Sequence, residues 1–185
     1  MNNLSISKEE ILSKTHQLII NQGWSAVNIR AVATYCGVSV GSIYNYFSSK
    51  VELIGALVEN IWHEVFHSSQ DAKALNDTCS CLSWIYERLE YGCKQYPGFF
   101  SKHSLGFLQE EKNDGKRIMQ HTWQHILNHL SSVLKQDSKI RPDAFDEYFT
   151  AEDFADILFS LILAALLRQD FDPDRVIKVV KKTIY

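Results

Sequence analysis

Apolar residues recur along this chain at intervals of three and four, with polar residues filling the places between. That period belongs to helices that bury one face. No stretch alternates at every second residue, so no strand is predicted. Ile11, Leu12, Thr15, Leu18 and Ile19 form the first stripe. Ser7-Lys8-Glu9-Glu10 ahead of it is a capping box, with Ile6 and Ile11 placed as a hydrophobic staple. Gly23 stops this helix after about Gln22. A second helix opens at Asn28, whose side-chain oxygen can accept an orphan backbone N–H. It carries Ile29, Val32, Ala33 and Cys36 inward. Gly37 permits the left-handed turn that ends it. Ser39 caps a third helix, from which Ile43 and Phe47 point back, and the small Ala33 lets the two helices cross closely. This is the layout of a helix-turn-helix, whose second helix enters the major groove of DNA.

The rest of the chain is also helical by pattern. Ser48 and Ser49 start a long fourth helix with Leu53, Ile54, Leu57, Val58, Ile61, Trp62, Val65 and Phe66 at helical spacing, ending near residues 67–72. It reads as the one rigid link between head and body. A fifth helix runs from Asn76 to about Gln95, with Leu82, Ile85, Tyr86, Leu89 and Cys93 inward. Tyr96-Pro97-Gly98 ends it. A short sixth covers Phe99 to Glu110, and Asn113-Asp114-Gly115 is a turn. A seventh runs from about Lys116 to Leu134, burying Met119, Trp123, Ile126, Leu127, Leu130, Val133 and Leu134. Residues 136–148 form a loop. Thr150 to Asp153 is a second capping box with Phe149 and Phe154 as its staple. The helix behind it, to about Arg168, is apolar almost all round, which calls for burial on two sides. A second copy of the chain is the simplest cover for the second side. Pro173 is placed at the first position of the last helix, where Val176, Ile177, Val180 and Ile184 are apolar.

Composition adds a compartment and a polarity. The net charge is −3, yet residues 1–50 hold four basic side chains (Lys8, Lys14, Arg30, Lys50) against two acidic ones (Glu9, Glu10). A mildly basic head on an acidic body fits DNA contact at one end. The polar N-terminus leads straight into a capped helix, so no secretory signal is expected. The apolar run Ile157 to Leu167 is broken by Ser160 and too short to span a bilayer. Four cysteines without framework spacing point to a reducing, cytoplasmic setting.

Gly37 to Leu53, GVSVGSIYNYFSSKVEL, resembles the signature of the tetracycline-repressor (TetR) family of bacterial transcription regulators. Gly37, Val38, Ser39, Gly41, Ile43, Tyr44, Tyr46, Phe47, Ser49, Lys50 and Leu53 match its fixed positions. The upstream stretch Gly23 to Ala33 is also similar, with two departures: Asn28 stands where Thr or Ser is commoner, and Ala31 where an acidic residue is common. The resemblance implies an all-α protein. Residues 1–48 would be a three-helix DNA-binding head, and residues 49–185 a helical bundle that binds an effector and forms a homodimer. It implies a ligand-responsive regulator on a palindromic double-stranded DNA operator, most simply a repressor, with the fourth helix as lever.

The candidate DNA-contacting set is Asn28, Arg30, Ser39, Val40, Ser42, Tyr44, Asn45, Tyr46 and Lys50. By the resemblance, Tyr44, Lys50 and hydroxyls near Ser42 take phosphate. Val40 and Asn45 are the best base readers, since Val touches a thymine methyl and Asn pairs with an adenine edge. The recognition helix holds no Arg or Lys, so Arg30 is the candidate for guanine. The candidate effector pocket is aromatic: Trp62, Phe66, Trp84, Tyr86, Phe100, Phe107 and Trp123, against the plainer reading that these rings fill a core. His121, His125 and His129 are spaced by four, but the stripe drifts about 40° per four residues, so one ion cannot easily take all three. Neither a metal nor a cofactor is called for, and no nucleophile elbow, phosphate loop or zincin motif points to catalysis. The alternative reading is a ligand- or metal-binding helical dimer that has lost specific DNA reading.

Overall fold

The computed structural model describes residues 6–66, 77–98 and 114–185, and leaves aside the side chains of 114–122 and 125. The described residues form eight α-helices and no strand: α1 (Lys8–Gln22), α2 (Ile29–Cys36), α3 (Val40–Tyr44), α4 (Lys50–Phe66), α5 (Thr78–Gln95), α6 (Asp114–Gln136), α7 (Ala151–Arg168) and α8 (Asp174–Thr183). A single 3-10 turn, Trp24–Ala26, joins α1 to the approach of α2. The chain packs as two compact units, Met1–His63 with Cys93–Ile118, and Glu64–Gly92 with Met119–Tyr185. The division falls inside α4, α5 and α6. The fourth helix, expected as the one rigid link between head and body, is thus one of three helices divided between the two units.

In the first unit the caps form where the local sequence demands them. Ser7 accepts the Glu10 N–H at 3.1 Å, and the Glu10 carboxylate accepts the Ser7 N–H at 3.0 Å. Ile11, Leu12, Thr15, Leu18 and Ile19 are all buried, and His16 joins them. α1 packs on α2, and α2 on α3. Val32, Ile43, Phe47, Leu53, Leu57 and Ile61 are fully enclosed. Each such side chain stabilises the fold by about 1.5–3 kcal/mol on transfer from water.

In the second unit the core is built from α5, α6, α7 and α8. Leu82, Ile85, Tyr86 and Leu89 are buried on α5, whereas Cys93 is half-exposed and Cys81 is buried. Asp77 caps α5 by accepting the Ser80 N–H at 2.8 Å. α6 begins at Asp114, so Asp114 and Gly115, expected in a turn, are helical. Acidic residues suit a helix's first turn through the macrodipole, and one Gly there costs little. Leu130, Val133 and Leu134 are buried on α6, with Trp123, Ile126 and Leu127 half-buried. The Thr150–Asp153 capping box is present, and the Phe149 and Phe154 rings meet at 5.9 Å. Pro173 stands one place earlier than expected, at the cap of α8 rather than its first position. The expected ends of the fourth helix, at 67–72, and the expected helix from Phe99 to Glu110 lie outside the described residues.

Candidate nucleic-acid interface

The turn between α2 and α3 is set by two residues. Gly37 adopts φ 71° and ψ 27°, and its N–H closes on the carbonyls of Ala33 and Thr34. Ser39 then accepts the Ser42 N–H at 3.1 Å and lies 2.9 Å from the Ser42 hydroxyl. α3 is five residues long, with Ile43 turned inward at 0% exposure. Val40 and Tyr44, one turn apart, are left outward at 37% and 51%. Asn45 caps the end of α3 and is exposed.

The nine predicted contact residues divide by what their polar atoms already do. The Arg30 guanidinium, the Tyr44 hydroxyl and the Asn45 amide have no hydrogen-bond partner among the described residues. Asn28 is spent on the fold: its Oδ1 accepts the Ala31 N–H at 2.9 Å and its Nδ2 donates to the Ala26 carbonyl at 3.2 Å. The Tyr46 hydroxyl donates to the Ile6 carbonyl at 2.5 Å, an engagement with no local sequence signal. Lys50 is half-buried at the first position of α4. Ser49 accepts the Glu52 N–H at 3.1 Å, while the Ser48 hydroxyl and N–H both donate to the Glu52 carboxylate at 2.7 Å. Those bonds hold the Glu52 pKa below its ordinary value.

The predicted pocket residues are placed individually. Trp62 is buried in the first unit, and Tyr86 in the second. Phe66 meets Trp84 edge-on at 5.6 Å, and Trp123 meets Phe159 edge-on at 5.8 Å. The indole N–H groups of Trp84 and Trp123 are buried and have no hydrogen-bond partner among the described residues. Phe100 and Phe107 lie outside those residues. An open groove of about 430 Å³ runs between α6 and α7, edged by Gln124, Asn128, Ser131, Lys135, Glu152 and Asp156, and none of the predicted rings lines it. The side chains of His121 and His125 are outside the described residues; His129 is exposed, and desolvation by the atoms packed around its ring lowers its pKa. Among the described residues no three potential ligands group to hold a metal.

One polar cluster escaped the sequence reading. The Asp137 Oδ2 accepts the Thr78 N–H and hydroxyl, both at 2.7 Å, and the Tyr185 hydroxyl at 2.6 Å. Burial alone would push the Asp137 carboxyl up, and these donors outweigh it, leaving the pKa lowered. Lys139 reaches back to Asp77 at 2.6 Å. Burial likewise pushes the Cys81 thiol up to about 12, so it is inert packing.

Residues 11–57 match the family model for bacterial regulatory proteins, tetR family. An uncharacterized HTH-type transcriptional regulator in the lacX 3' region of Lactococcus lactis subsp. lactis is 32% identical over 102 residues, covering 49% of this chain. The match spans 52% of that relative's length. The HTH-type transcriptional repressor KstR of Mycolicibacterium smegmatis is 23% identical over 163 residues, covering 88% of this chain and 78% of KstR. In fold, the chain is similar to the transcriptional regulator FadR from Bacillus subtilis, solved in complex with stearoyl-CoA, with a TM-score of 0.68 at 14% identity over 96% of this chain and 95% of that one.

Proposed function

We propose, from the match of residues 11–57 to the tetR family of bacterial regulatory proteins, that the chain is a ligand-responsive repressor that binds a palindromic operator as a homodimer. The single observation that carries the DNA half is the exposed edge of α3. Val40, Tyr44 and Asn45 stand outward on an element whose inner residue, Ile43, is fully buried. A short helix presented this way can lie in a major groove. Val40 and Asn45 read base edges, Tyr44 and Lys50 take phosphate, and Arg30 on α2 supplies the cation that α3 lacks. Residues 1–48 serve as the head and residues 49–185 as the body.

The body's part is to bind an effector and pair two heads. Ile157 and Leu167 on α7 are 44% and 54% exposed, and Val179 on α8 is 42% exposed. A second copy covering this face supports a two-headed molecule. The repressor relative KstR and the acyl-CoA complex of FadR favour a repressor with a small-molecule effector. The unspent indole donors of Trp84 and Trp123 are where an effector with acceptor oxygens is read. An effector that prefers a different head spacing shifts the population away from the DNA-bound state.

Selection of genomic fragments by the purified chain at near-physiological salt tests this. The expected product is an inverted repeat whose half-sites lie about one helical turn apart, with A·T pairs under Val40 and Asn45. Recovery of sequence-independent fragments alone refutes the reading.

A further inference from the structure

The geometry points to Lys8 as a phosphate-binding residue of the DNA interface, held in place by Tyr46. The inference rests on the DNA-binding reading above. Tyr46 lies two residues past α3, at the outer edge of the turn that leads to α4. Its hydroxyl reaches 40 positions back along the chain to the Ile6 carbonyl, at 2.5 Å. That carbonyl precedes α1 and takes no part in the α1 ladder. The bond therefore draws the start of α1 against the end of the recognition segment. Tyr46 spends its one donor on this tie, so its role is to position its neighbours.

Lys8 is the residue the tie delivers. Its Nζ lies 5.5 Å from the centre of the Phe47 ring. Phe47, which follows Tyr46 and precedes α4 in sequence, is itself fully buried, so the ammonium rests on a ring of the head's core. The ring face attracts the cation without consuming its donors. Glu52 and Glu9 are the acidic side chains that feel Lys8, and both donors of Ser48 already occupy the Glu52 carboxylate. Glu9, next to Lys8 in sequence, lies in the same first turn of α1, and Glu10 is bonded to the Ser7 N–H. Among the described residues no carboxylate forms an ion pair with Lys8. Three N–H donors thus remain on an exposed ammonium over the Phe47 ring. The acceptor that fits is a phosphate oxygen of the duplex backbone. Lys8 from α1 and Lys50 from α4 then both take backbone oxygens, and those contacts set the register in which Val40 and Asn45 meet base edges.

The test measures affinity of the full chain for the selected operator duplex by fluorescence anisotropy across a series of salt concentrations. Loss of one phosphate contact flattens the slope of log K against log salt by about 0.9. Lys8→Gln is expected to show that flattening. Tyr46→Phe is expected to show part of it, and to add nothing in the Lys8→Gln background. Such non-additivity is not produced by a merely structural Tyr46. Thermal melts of each variant confirm folding. An unchanged slope in Lys8→Gln, with the wild-type slope steep, overturns the inference and leaves the regulator reading intact. Additive effects of the two substitutions overturn the positioning role of Tyr46. A wild-type chain whose binding shows no salt dependence brings down the DNA-binding reading itself, and the inference with it.

Discussion

Gly37 shows how much one residue can decide. Its φ of 71° lies where a side chain crowds the backbone, yet a Cβ built there meets nothing within 4 Å. The cost of any other residue is thus conformational alone. Gly37→Ala is expected to destabilise the head by about 1–2 kcal/mol, read as a lower urea midpoint of the head's transition, with operator affinity falling in step. Such a position is legible in a sequence, because a helix stop needs only its own neighbours. Asn28 was legible for the same reason: its side chain reaches only to Ala31 and Ala26. Its place in the contact set is weaker for that, since both polar atoms are spent on the cap. Tyr46 was not legible. Nothing near it in sequence says that its hydroxyl will meet the Ile6 carbonyl.

At the scale of elements, Asp137 ties the end of α6 to the start of α5 and to Tyr185 beyond α8. A carboxylate accepting four donors, the Lys139 N–H on its other oxygen included, is a stability element with a pH sign. Its folded pKa is depressed, so its contribution is present above the ordinary aspartate value of about 3.9. That contribution is lost as pH falls through the folded value. Asp137→Asn is expected to cost about 1.5–3 kcal/mol near neutrality. The gap between wild type and variant should close in acid, and thermal melts at both pH values check it. A gap that is constant with pH contradicts the assignment. The α5 face shows a second tie of this kind, where Arg88 donates to the Val65 carbonyl at 2.6 Å and closes the last turn of α4. Helix existence and caps were read from sequence at this scale, but these ties were not. Asp137 past the end of α6 and Arg88 inside α5 could each face water, and only the meeting of helices decides that they bond instead.

For the whole molecule the question is what covers the outward face of α7. Phe154, Leu158, Ile162 and Leu166 fill the core of the second unit, and Ile157 and Leu167 remain outward with Val179 of α8. Under the proposed function a second copy buries them. Leu167→Glu places a charge at that seam and is expected to yield a monomer by sedimentation and to weaken operator binding more than tenfold, because one head then binds without its partner. A dimer that survives this change locates the contact elsewhere. Among the described residues no helix is long and apolar enough to cross a membrane.

The sequence by itself determined what depends on near neighbours. A helix forms over i to i+4, a cap over three residues and a turn over one glycine, so the all-helical order, the helix-turn-helix and both capping boxes could be read directly. The burial of His16 was not read, although it sits one turn beyond Leu12 and one turn before Ile19, because its polarity argues for the surface. Only the tertiary structure decided which polar groups meet across tens of residues. Tyr46 with Ile6, Lys8 over Phe47, and Asp137 with Thr78 and Tyr185 are all of that kind. Each of these bonds is worth little against water until the packing of apolar faces has brought its ends together. The packing energy that enforces them belongs to the assembled core and is written in no local stretch of the chain.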